Sequence, residues 1–111
     1  MNSRAVLCIP LGERLSPGNL TAFGQLTPLL DGLDKIYNAD HVLKQIVSRL
    51  EAISFDPTQD YIVWSGPGVC LAYFTIAVAH YMAAHYPDDT GYTALAFNSK
   101  EREYQRISIP L

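Results

Sequence analysis

Between Asp60 and Asp88 the chain carries no Asp, Glu, Lys or Arg, and this stretch is interrupted once, by Ser65-Gly66-Pro67-Gly68. A segment without charge is stable only where most of its surface leaves water, in a protein core, a bilayer or an interface. Before the interruption, Tyr61-Ile62-Val63-Trp64 runs apolar without alternation, the pattern of a strand covered on both faces. After it, Val69 to Tyr86 reads as a helix of about 18 residues, near the lower limit for spanning a membrane. Thr75, His80 and His85 add polarity, and Lys and Arg anchors are missing from both flanks, so a membrane span is not expected. The segment instead predicts a central strand, a sharp turn, and a helix crossing to a parallel strand. Ala72, Ala79 and Ala83 would allow close approach to the sheet, with some of Tyr73, Tyr81 and His85 toward a second subunit.

The flanking sequence supplies the rest of such a sheet. Ala5 to Ile9 predicts a buried strand closed by Pro10 and Gly12. Gln25 to Leu30 predicts a second strand, with a helical turn at Pro17 to Phe23. Val42, Leu43, Ile46, Val47, Leu50 and Ile53 recur at helical spacing, capped by Asn38 or Asp40 and stopped at Asp56-Pro57. Pro87 to Gly91 is a turn, Tyr92 to Phe97 a buried strand, and Asn98 to Glu101 a hairpin loop. Arg102 to Ile109 alternates Tyr104, Arg106 and Ser108 against Gln105, Ile107 and Ile109, as a half-exposed antiparallel edge strand does. The expectation is one α/β domain over residues 1–111. Its sheet would be small and Rossmann-like, of about five strands, with two main helices, a C-terminal β-hairpin, and two or three layers.

At 111 residues and 49 % hydrophobic content the chain is sized for one core, and intrinsic disorder is excluded. Only 17 % of residues are charged, against about 25 % in an average soluble domain, which points to surface buried in a homo-oligomer. The formal charge of -3 comes without a basic or acidic block, so no nucleic-acid partner is expected. Cys8 and Cys70 lie in apolar runs and read as reduced thiols. The apolar run after Arg4 is too short for a signal peptide, so the expected location is cytoplasmic.

The leading candidate site is the turn Ser65, Gly66, Pro67 and Gly68. Ligands in open α/β sheets favour the carboxyl ends of strands, and a helix N-terminus offers unpaired amides to an anion. Glycine permits close approach, and Pro67 suits a first helical position. Named motifs are excluded here. No lysine lies between Lys44 and Lys100 for a P-loop, Leu71 stands where a dinucleotide fingerprint needs its third glycine, and Val63 and Pro67 occupy the glycine positions of a nucleophile elbow. Ser65 therefore reads as a cap or ligand hydroxyl.

No catalytic residue or cofactor is assigned. His80 and His85 are five apart, unlike a metal pair on one helix face, and no metal site is expected; His41 reads as a surface residue. Asp40, Asp56 and Asp60 stand where caps and turns want a carboxylate. The seven tyrosines suggest an interaction surface, because a tyrosine couples an apolar ring to a polar tip.

Phe23-Gly24, Ile36-Tyr37-Asn38-Ala39-Asp40, Asp60 to Gly66, the small-residue helix and the closing Tyr104 strand together resemble a group of small uncharacterised phage and prokaryotic α/β proteins. The resemblance covers most of the chain and implies a phage-type accessory protein on a Rossmann-like sheet, with Asn38, Asp40, Ser65 and Gly66 considered together. It implies no activity. The expected function is a non-enzymatic binding module for an anionic or nucleotide-like ligand at Ser65 to Gly68. The alternative is a protein-interaction or inhibitor module that opposes a host defence through a tyrosine-rich surface, with Tyr104 and Arg106 on its edge strand.

Overall fold

The computed structural model describes residues 22–32, 35–64 and 68–111, together with the backbone of 6–9. The elements follow the order β1 (Val6–Ile9), β2 (Gln25–Pro28), α1 (Ala39–Ala52), β3 (Tyr61–Trp64), α2 (Gly68–His85), β4 (Gly91–Asn98) and β5 (Glu103–Pro110). The helical turn expected at Pro17 to Phe23 lies for the most part outside the described residues.

The strands lie in the order β2-β1-β3-β4-β5. β2, β1, β3 and β4 run parallel, and β5 returns antiparallel to β4. The result is a mixed α/β fold with two helices, in which β3, β4 and β5 form the mixed sheet and the four-residue β1 and β2 extend it. α1 carries the chain from β2 to β3 and α2 from β3 to β4. Both steps go in the same direction across the sheet, so right-handed crossovers put both helices on one face. There they pack together with Ile62, Tyr92 and Ala94 of the sheet in the main core. The doubly wound arrangement of a Rossmann-like sheet is not seen among the described residues.

α1 forms because Val42, Ile46 and Leu50 recur on one face, and all three are buried. Each such side chain contributes about 1.5–3 kcal/mol of transfer free energy. Asn38 caps it: its Oδ1 accepts from the His41 amide at 3.2 Å. At the other end Asp56 organises the turn into β3. Its carboxylate accepts from the Thr58 amide and hydroxyl at 2.9 and 2.7 Å, and the buried Asp60 carboxylate accepts from the Asp56 amide at 2.8 Å.

α2 is the long helix expected, and by length and composition it is apolar enough to cross a membrane. In this fold Cys70, Phe74, Ala77, Val78, Tyr81 and Met82 form its core side. Its placement corrects two expectations. Ala72 and Ala83 are exposed and Ala79 half-buried, and Ala77 is the alanine that is fully buried. Tyr81 is buried in its own chain's core, with its hydroxyl donating to the Phe55 carbonyl at 2.7 Å, and is unavailable to a second subunit.

The opposite sheet face buries Val63, Leu95 and Tyr104, flanked by Phe23, Leu26, Tyr61 and Phe97. β4 and β5 approach closely at Gly91, where a Cβ would lie 2.2 Å from the Ile109 carbonyl oxygen, so only glycine fits without a backbone shift.

Candidate functional site

Because β2, β1, β3 and β4 are parallel, their carboxyl ends share one edge of the sheet. α1 follows β2 and α2 follows β3, so the N-termini of both helices start from that edge. Ser65, Gly66 and Pro67 lie outside the described residues. Gly68 opens α2 and is exposed, and among the described residues nothing beyond its own helix and neighbours comes within 4 Å of where its Cβ would be, so packing against them does not demand glycine there.

Asn38 and Asp40 stand at the start of α1, and both are exposed. The oxygen of Asn38 is committed to capping, which leaves its amide group for other contacts. The segment before α1 is tied to α2 by the Tyr73 hydroxyl, which donates to the Ile36 carbonyl at 2.6 Å. This bond brings the approach to α1 against the first turns of α2.

A cleft of about 250 Å³ at the start of α1 is lined by Leu30, Asp31, Lys35, His41 and Gln45. The sequence reading missed its principal ion pair. Arg49, one helical row beyond Gln45, pairs with Asp31, and Gln45 donates to the same carboxylate at 3.1 Å. The Arg49 hydrogen bond and charge hold the Asp31 carboxyl below its ordinary range. The only sequence signal was the spacing of Gln45 and Arg49 at i, i+4, which places both on one face.

A larger cleft of about 570 Å³ lies at the opposite edge, lined by Thr58, Asp89, Thr90, Thr93 and Ser108. The helices end toward that edge with their carbonyls outward, and Asp89 adds a carboxylate, so it suits an anion less well than the other edge. The helix ends are joined there by His85, whose Nε2 lies 3.1 Å from Glu51 Oε2.

The tyrosines do not make the interaction surface expected of them. Tyr81, Tyr92 and Tyr104 are buried, Tyr61, Tyr73 and Tyr86 half-buried, and Tyr37 is 92 % exposed. Burial pushes the Tyr81 hydroxyl up to about 12, and it pushes Tyr92 upward too, with Thr75 and Trp64 pulling the other way. Tyr104 stacks edge-on against Phe97 at 5.2 Å. It is a core residue because alternation places it opposite Phe97 on the face that Leu95 and Val63 fill. Arg106 remains exposed. Its guanidinium lies 5.0 Å from the Phe23 ring centre, and its Nε donates to the Tyr61 hydroxyl at 3.2 Å.

Cys70 is buried as a free thiol, pushed upward by burial. Among the described residues no group of three or more His, Cys, Asp or Glu converges as a metal site.

These features define a small α/β protein whose helix starts gather at the carboxyl edge of a parallel sheet. Over residues 15–111 the chain matches the family described as phage Pam3 gp32-like protein, and it belongs to that family. The phage attribution drawn from the residue pattern therefore stands, whereas the Rossmann-like pattern is no part of what the match carries. No curated protein and no solved structure matches the chain.

Proposed function

We propose that this phage protein is a non-enzymatic accessory module that binds an anionic, nucleotide-like ligand at the carboxyl edge of its sheet, in the host cytoplasm. One observation carries the reading. β1 and β3 are parallel neighbours, yet the chain goes from β1 to β2 on one side and from β3 to β4 on the other. Connections that leave adjacent strands in opposite directions open a crevice between them, the Rossmann-like position at which open α/β sheets take ligands. Gly68, the described residue of the expected turn Ser65 to Gly68, opens α2 just beyond the carboxyl end of β3, beside that crevice. The amides leading α2 meet the anionic group. Asn38 offers its amide group, and Asp40, a carboxylate, accepts from a ligand hydroxyl or amino group.

Calorimetric titration with a nucleotide panel and with inorganic phosphate tests the reading. Gly68→Asp adds a negative charge where the fold has room for a side chain, and it is expected to weaken binding at least tenfold with an unchanged circular dichroism spectrum. Absence of binding by every compound overturns the reading.

The second reading, a protein-interaction or inhibitor module aimed at a host defence, is favoured by apolar side chains left in water on α2, with Val69 36 % and Ile76 44 % exposed. Its surface is α2 in place of the tyrosines. Ile76→Glu should abolish capture of a purified host target while leaving nucleotide binding intact.

A further inference from the structure

Tyr37 is 92 % exposed, the most exposed large apolar side chain among the described residues. Its backbone, by contrast, is held on both sides. The Tyr73 hydroxyl donates to the Ile36 carbonyl at 2.6 Å, and the Asn38 amide donates to the Lys35 carbonyl at 2.9 Å, closing a turn around Tyr37. Ile36 packs against the main core, while the Tyr37 ring stands in water at the edge from which α1 starts. An aromatic ring carried on a fixed backbone has only two side-chain torsions to order when it takes a ligand. At about 1.5 Å of rise per residue, Tyr73 lies about 7.5 Å along α2 from Gly68. The bond from Tyr73 to Ile36 therefore keeps Tyr37 near the amides that lead α2.

We propose that Tyr37 is the platform on which the base of a mononucleotide stacks while its phosphate meets the amides leading α2, an assignment that rests on the crevice reading above and narrows its ligand class. A ring face in water gains by covering the face of a base. Every base has such a face, so stacking separates nucleotides from sugar phosphates without selecting among bases. The turn at Lys35 to Asn38 supplies the platform, and the start of α1 beside it supplies Asn38 and Asp40 for the ligand's polar groups. A ring this exposed contributes little to the core, so replacing it leaves the fold intact.

Calorimetric titration with adenosine monophosphate, cytidine monophosphate, ribose 5-phosphate and inorganic phosphate tests the stack. Both nucleotides should bind the unsubstituted chain at least about fivefold tighter than ribose 5-phosphate, the low end of what stacking on an aromatic ring contributes. Tyr37→Ala should remove that margin. Tyr37→Phe, which keeps the ring face, should retain it. Binding of the phosphates with no margin for the nucleotides overturns the stack and leaves the crevice standing, and so does a margin that survives Tyr37→Ala. Absence of binding by all four compounds overturns both.

Discussion

The Tyr73 hydroxyl donates to the Ile36 carbonyl at 2.6 Å across 37 residues of sequence. It fixes the entry to α1 against the second turn of α2 and so sets the spacing of the two helix starts at the proposed crevice. Tyr73→Phe removes the donor and little else. The expected cost is about 1 kcal/mol, read as a lower urea midpoint at unchanged slope. A loss above about 3 kcal/mol would mean that Tyr73 supports the core in some other way.

Tyr104 and Tyr37 should separate core from surface. Tyr104 is 2 % exposed and Tyr37 92 %. Tyr104→Ala is expected to cost about 3–5 kcal/mol, as large aromatic truncations in a core do, whereas Tyr37→Ala should stay within about 0.5 kcal/mol. Urea unfolding of both variants checks this. Comparable small effects would return Tyr104 to the surface role its sequence position suggested.

The Asp31–Arg49 pair predicts a particular acid response. Asp31 has its pKa lowered from 3.8 by the Arg49 hydrogen bond and charge. A carboxylate depressed in the folded state binds fewer protons there than when unfolded. Its contribution is therefore fully present above 3.8 and is lost as pH falls through the lower folded value. Asp31→Asn should be less stable than the unsubstituted chain at pH 7, and the gap should close in strong acid. The carboxylate is exposed, so raising the salt concentration should narrow the gap as well. A pH-independent gap would assign the effect to packing.

Much of the fold was legible locally. Asn38 as a cap, the α1 face of Val42, Ile46 and Leu50, and the alternation of β5 all depend on neighbours within a turn or two, which the sequence displays directly. The Asp31–Arg49 pair and the Tyr73–Ile36 bond were not legible, because each joins residues far apart in sequence through a geometry that exists only after the helices pack. The tyrosines show the same limit. A tyrosine suits an interface and a core equally, and its partners across the sheet decide which it occupies.

For this protein the sequence alone determined where the chain is extended, where it is helical and where it turns, because those choices follow from periodicity and from the backbone limits of proline and glycine. Which side of α2 meets the sheet was decided only in three dimensions. α2 is apolar nearly all round, so its rotation about its own axis is set by the shape of the surface it covers; Ala77 was turned inward and Ala72 and Ala83 outward. Tertiary structure likewise placed β3 next to β1, since strand order depends on crossover direction and layer packing, which no local run of residues encodes.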